Sequence, residues 1–207
     1  MFTRELNNYC EVSGTVKEEP VFSHEVSGEK FDKFVLEIKR LSGASDFINV
    51  IISERFKTEE LSLCENTQVF IRGQFRSYNN YSGIGNKLVL SVFVKDISNS
   101  SEEMEENSNF IYLNGYLCKD PIYRITPFGR EITDILLAVN RIHNKSDYIP
   151  CIVWGKNAKI ASEMKTGDKL KLSGRIQSRE YRKKLENEET VCKTAYEISV
   201  CKLESDE

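Results

Sequence analysis

SDYIPCIVWGKNAKIASEMKTGDKLKLSGRIQSREY, residues 146–181, holds two changes of period that decide the fold. Over 147–155, Ile149, Cys151 and Val153 alternate with Tyr148, Pro150, Ile152 and Trp154, which is the two-residue period of a strand. From 157 to 167 the period turns helical: Ile160, Ala161 and Met164 share one face, and Gly167 offers a stop. Alternation then returns, with Leu170, Leu172 and Ile176 on one side and Lys171, Ser173, Arg175, Gln177, Arg179 and Tyr181 on the other.

Working outward, the same reading predicts strands at 109–119, 131–141, 147–155, 169–181 and 191–203. Five strands with one helix between the third and fourth is the element order of an oligonucleotide/oligosaccharide-binding (OB) barrel, a five-stranded Greek key; a generic small β-sandwich is the alternative. Gly115 and Gly174 interrupt the first and fourth strands. Glycine is costly there unless the strand coils tightly or another backbone comes close, as a small closed barrel requires.

The pattern occurs twice. A constant shift of 101 residues lays 8–78 on 109–179 without a gap, giving eleven identities in 71 positions. They include Asn8, Gly14, Gly28, Leu36, Arg40, Asp46, Ile48, Gly73 and Ser77, which meet their own kind at 109, 115, 129, 137, 141, 147, 149, 174 and 178. FKTEELSLCEN, 56–66, is a poorer equivalent of the 157–167 helix. The expected organisation is all-β: a divergent OB domain at 1–97, an acidic linker at 98–108 (SNSSEEMEENS), a second OB domain at 109–203 and an acidic tail at 204–207.

Composition narrows the classes. With 40% hydrophobic and 29% charged residues the 207-residue chain reads as globular. No apolar run approaches a membrane span, and MFTRELNNYC lacks the features of a signal peptide, so the expected setting is the cell interior with all six cysteines reduced. Two histidines and no CxxC pair leave little material for a metal site, and neither a metal nor a cofactor is expected. His24 and His143 stand in no triad-like spacing and no GxxxxGK[ST] loop occurs, so an enzyme is not expected. The net charge of −3 is unevenly spread: 1–97 carries 12 basic and 14 acidic residues, the linker four acids, and 109–207 carries 17 basic and 14 acidic.

Alternation sends Tyr148, Trp154 and Tyr181 to the same outer face as Lys171, Arg175 and Arg179, with Arg182, Lys183 and Lys184 extending it and Lys156 at its edge. Rings beside cations suit unpaired nucleotides: bases stack on the rings while cations track phosphates. Core packing for Tyr148 and Trp154, and a solvated strand end for the basic run, are the competing structural readings. The first half offers Phe47, Arg72, Arg76, Tyr78 and Tyr81 at matching places, a face with fewer cations that either binds more weakly or mainly supports assembly.

Several stretches carry a family resemblance: the Gly-x-Leu-x-x-Asp-Pro start at 115–121, the Leu-Ala-Val-Asn-Arg strand at 137–141, the Trp-Gly-Lys-x-Ala junction at 154–158 and the strand from Gly167 through Gly-Arg-Ile-Gln-Ser-Arg at 174–179. Together they resemble the bacterial single-stranded DNA-binding protein family. That resemblance implies a non-catalytic, sequence-tolerant binder of single-stranded DNA in replication, recombination or repair, located in the bacterial cytoplasm with the nucleoid. It implies base-stacking positions at Tyr148, Trp154, Tyr181 and His143, which fall on Phe47, Ser53, Asn80 and Ser42 in the first half. It further implies four barrels per assembly, here supplied by a homodimer. The chain stops at CKLESDE without a Phe-tipped tail, so recruitment of replication partners through such a tail is not expected. The alternative function is a protein-interaction or primosome-type accessory module with weak nucleic-acid binding.

Overall fold

The computed structural model describes residues 7–80, 88–99, 105, 107–142, 145–184 and 190–205, with backbone alone at 182–184 and 191. The described residues form eleven strands and one α-helix. In the first half these are β1 (Asn8–Val26), β2 (Glu29–Lys39), β3 (Ser45–Ser53), β4 (Gln68–Asn79) and β5 (Leu88–Ser98). In the second they are β6 (Asn109–Leu117), β7 (Ile122–Ile125), β8 (Glu131–Asn140), β9 (Ser146–Trp154), α1 (Lys156–Glu163), β10 (Lys169–Lys184) and β11 (Thr190–Ser205).

Each half closes on itself. β1 pairs with β2, β2 with β3, β3 in parallel with β5, β5 with β4, and β4 returns to β1. The second ring is the same, β6–β8–β9–β11–β10–β6, again with a single parallel step, β9 against β11. The alternating aliphatic residues fill both interiors: Leu36, Ile48 and Phe75 in one, Leu137, Ile149 and Ile176 in the other, all fully buried. Burying such a side chain stabilises by roughly 1.5–3 kcal/mol, so the period of two translates directly into closure.

The mid-strand glycines sit where two backbones touch. A Cβ on Gly14 would lie 2.2 Å from the Glu37 carbonyl oxygen, and one on Gly115 would lie 2.4 Å from that of Ala138. Gly73 and Gly174 meet Phe93 and Ser199 in the same way, each beside a bulge in the pairing with the last strand of its barrel. No other residue fits these crossings.

Three local expectations are revised. The helix expected at 157–167 is α1, 156–163; Met164 is already extended and only packs on the core. Gly167, with φ +96°, belongs to a separate turn in which Asp168 Oδ2 accepts from the Lys165 N–H at 2.8 Å. At 56–66 no α-helix forms beyond a 3-10 turn at Glu54–Phe56. The Asn99 side chain occupies the Ser62 backbone of that segment: its oxygen accepts from the Ser62 N–H at 2.7 Å, and its amide donates to the Ser62 carbonyl at 2.8 Å. Finally, the single strand β1 corresponds in the second barrel to two strands, β6 and β7, because Asp120 ties the intervening turn to the Thr166 N–H (3.0 Å) and hydroxyl (2.8 Å).

The barrels are fused. β1 and β6 pair antiparallel from Asn8↔Leu113 to Val12↔Asn109, centred on Cys10↔Ile111, which are equivalent positions of the repeat. The chain therefore carries a local twofold axis. Around it, Asp46 and Asp147, each 1% exposed, bind Arg40 and Arg141 of their own barrel through both guanidinium nitrogens facing them. Asp147 Oδ1 also accepts from the Ser77 N–H at 2.5 Å and Asp46 Oδ1 from the Ser178 N–H at 2.8 Å, both across the axis. The Ser77 and Ser178 hydroxyls accept in turn from the Tyr148 and Phe47 N–H groups at 2.7 and 2.8 Å, and Arg141 donates to the Ser77 carbonyl at 2.8 Å.

Removing one buried carboxylate strands a half-buried guanidinium and an N–H together. Asp147→Ala is expected to lower the free energy of unfolding by about 3 kcal/mol, with Asp46→Ala close to it, read as a shift in urea midpoint without a change in slope. A cost under about 1 kcal/mol for both would show that this network does not fasten the barrels.

Candidate nucleic-acid interface

The outer face of the second barrel runs across β9, β11 and β10. Tyr148 opens β9 and is 45% exposed; its position is fixed by the hydrogen bond of its own N–H to Ser77. Trp154 ends the strand half-buried, its indole N–H donating to Ser199 Oγ at 3.1 Å on β11. Ser199 pairs in turn with Arg175 of β10, so a hydrogen bond and a strand pair link Trp154, Ser199 and Arg175 across the sheet. Arg175 and Arg179 are exposed, and Tyr181 is half-buried on the same side. Lys171 is half-buried farther down β10, and Lys156 is exposed at the start of α1. The structure thus brings Tyr148, Trp154, Tyr181, Arg175 and Arg179 onto one surface.

Two acids temper it. Glu197 of β11 approaches Arg179 at 3.7 Å, and burial pushes its carboxyl up despite that neighbour. Asp134 of β8 accepts from Arg124 Nε at 2.5 Å. Arg124, with Tyr123, belongs to β7, a four-residue edge strand that sequence reasoning missed because all four residues are exposed and show no alternation. Phe128, 92% exposed in the β7–β8 turn, is a further ring without a periodic signal.

Side chains of Arg182, Lys183 and Lys184 lie outside the described residues, as do His143 and Tyr81 entirely.

In the first barrel the expected residues disperse. Phe47 is 39% exposed at the position equivalent to Tyr148, and Tyr78 is 55% exposed. Arg72 faces Glu11 at 3.0 Å and Asp96 at 3.9 Å, so its charge is spent on the joined sheet. Arg76 is half-buried with its guanidinium 3.9 Å from the Phe93 ring centroid; burial pulls it below its ordinary value, with Arg141 adding to the effect. Ser53, where the resemblance places a ring, is 2% exposed. Sequence reasoning missed Phe93, Phe31 and His24, which pack together on this barrel. All six cysteines are free thiols, and burial holds the Cys10 thiol up at about 12.

The ring closure, the lone parallel step between third and fifth strands and the ring-and-cation face define a tandem OB-fold protein. Residues 108–205 match the model of the Single-strand binding protein family. A single-stranded DNA-binding protein of Clostridium tetani is 42% identical over 83 residues, covering 37% of this chain and 57% of that protein. Single-stranded DNA-binding protein 2 of Listeria innocua is 40% identical over 80 residues, covering 35% and 50%. The chain spans about half the length of these curated relatives. The solved structure of the wild-type single-stranded DNA binding protein from Thermus aquaticus superposes with a TM-score of 0.74 over 97% of this chain and 93% of that one, at 20% identity, which establishes the fold.

A carboxyl raised by burial disfavours folding once ionised. That cost is absent well below the ordinary carboxyl range and grows as pH climbs through it. Glu197→Gln is expected to raise the urea midpoint at pH 7 and to leave it unchanged near pH 3.5, about a unit below the ordinary carboxyl value. An equal gain at both values would exclude ionisation as the cause.

Proposed function

We propose that the chain is a non-catalytic, sequence-tolerant binder of single-stranded DNA that acts in replication, recombination or repair within the bacterial cytoplasm. The observation that carries this reading is the link Trp154–Ser199–Arg175 across the sheet, flanked by Tyr148, Tyr181 and Arg179, in a half that matches the Single-strand binding protein family model. Trp154 lies low on the sheet with its N–H already satisfied, so its ring is fixed at no further cost when a base stacks. Arg175 and Arg179 stand proud of the same sheet and are placed to meet phosphates. A duplex hides the base faces that the rings would use.

The working units are two OB domains, 1–97 and 109–203, on either side of the 98–108 linker. Two chains supply four barrels. The outer face of the fused sheet supports that assembly: Tyr9 pairs with Tyr112 and Glu11 with Phe110 across the barrel junction, and Phe110 is 41% exposed. Burial, helped by the nearby Glu11 carboxylate, raises the Tyr9 hydroxyl to about 12, which keeps it a neutral donor on that face.

Trp154 is the sole tryptophan, so its fluorescence reports directly on the site. Oligo-dT is expected to quench it, with a log–log salt slope of about −3.5 if five phosphates are neutralised. Tyr148→Ala with Trp154→Ala is expected to weaken binding by roughly 1–3 kcal/mol per lost stack while leaving the solution mass at that of a dimer. Unchanged affinity with a collapsed mass would instead make this face an assembly surface, the behaviour of an accessory module.

A further inference from the structure

In the second barrel the indole of Trp154 rests against Ser199 on the neighbouring strand. In the first barrel the two residue types are exchanged. Ser53 is the counterpart of Trp154 under the 101-residue shift. The parallel registers Val50↔Val92 and Cys151↔Ile198 make Phe93 the counterpart of Ser199. The ring missing from β3 is thus supplied one strand over, from β5, where Phe93 lies in register with Ile51, two residues before Ser53.

The substitution spreads. Phe31 pairs with Ser53 where Ile132 pairs with Trp154, so a second ring enters on β2. Phe31 tilts against Phe93 with centroids 5.6 Å apart, and His24 stacks on Phe31 at 5.0 Å with planes 10° apart. These rings, with Arg76, Tyr78 and Arg141, line a groove of about 590 Å³, a volume in the range of small-ligand sites. Arg76 covers one face of Phe93 at 3.9 Å, and Lys95 reaches the same ring at 5.3 Å.

The groove is short of negative charge. Asp147 is the buried acid near Arg76, and it is already engaged by two guanidinium nitrogens of Arg141 and by the Ser77 N–H. Arg76 donates to Gln74 at 2.7 Å, but its Nε is buried with no acceptor among the described residues. Two guanidiniums therefore face one groove with a single committed carboxylate between them, an arrangement that favours an incoming anion. Arg141 comes from the other barrel, so the groove is complete only in the fused chain.

We infer that the first barrel has its own nucleotide subsite in this groove, a base lying against the His24–Phe31–Phe93 rings and its phosphate meeting Arg76 and Arg141. A stacked ring surface beside two arginines is the chemistry of a single-stranded polynucleotide, and the subsite rests on the function proposed above. The first barrel then holds the strand with a ring set of its own rather than acting as a spacer.

The test uses the full chain and an oligo-dT of about 35 nucleotides, long enough for two OB sites, substituted with photoreactive 4-thiothymidine. Crosslinked peptides are expected to include segments 21–31 and 91–95 as well as 146–181. In a Tyr148→Ala, Trp154→Ala background, adding His24→Ala and Phe93→Leu is expected to lower the remaining affinity about tenfold, the size of one lost stack. His24→Ala with Arg76→Gln provides the same reading should Phe93→Leu fail to fold. Crosslinks confined to 146–181, with affinity indifferent to these changes, would overturn the subsite and leave the proposed function standing. A wild-type chain that neither crosslinks nor binds would remove both.

Discussion

The structure depends on two carboxylates that cannot be left alone. Asp46 and Asp147 are 1% exposed at the junction of the barrels, and a buried charge is tolerable only when its hydrogen bonds are filled. Each fills them with an arginine of its own barrel and an N–H of the other barrel, donated by Ser178 or Ser77. Neither barrel can satisfy its own aspartate without the other. The β1–β6 pairing sets the distance, and the reciprocal network sets the angle and register.

This junction also places the functional face. The residues after the two aspartates are Phe47 and Tyr148, and their N–H groups are held by the serine hydroxyls of the opposite barrel. The first ring of each face therefore starts from a backbone position fixed to the twofold axis. Arg141 has a double role for the same reason: anchored by Asp147, it is directed over the groove of the neighbouring barrel. Fusion of the barrels and construction of the faces are one event, which explains why the identities between the halves include Arg40/Arg141, Asp46/Asp147 and Ser77/Ser178 while the faces diverge.

Much of this was legible in the sequence, for identifiable reasons. Core positions such as Leu36, Ile149 and Leu172 announced themselves because a period of two forces one side of each strand inward. The four glycines were readable because close backbone crossings admit nothing larger. Tyr148 and Trp154 followed from the same parity. The illegible parts lack periodicity or depend on distant partners. β7 is an exposed edge held by its pairing to β8, and the 56–66 segment forms no α-helix while Asn99, far along the chain, occupies the Ser62 backbone. The Arg–Asp–Ser network was visible only as unexplained identities, since nothing in a linear sequence says that Ser77 faces Asp147.

The first barrel shows why position-by-position comparison undercounts a stacking surface. A ring on a sheet is defined by its row and its side, and a row crosses several strands. Counting only β3, Ser53 reads as a loss; counting the neighbouring strands, Phe31 opposite Ser53 and Phe93 opposite Ile51 return the rings one strand to either side. The same logic applies to charge. The chain is acidic in sum, yet seven of its 32 acids lie in the linker and the tail, and others are committed to partners such as Arg72, Arg124 and Arg141. What a ligand meets is the uncommitted remainder, Arg175 on one barrel and Arg76 on the other, each beside an aromatic row. A negative total is therefore compatible with two faces that attract phosphate, because the potential at a groove is set by charges within about a Debye length, roughly 10 Å at ordinary salt.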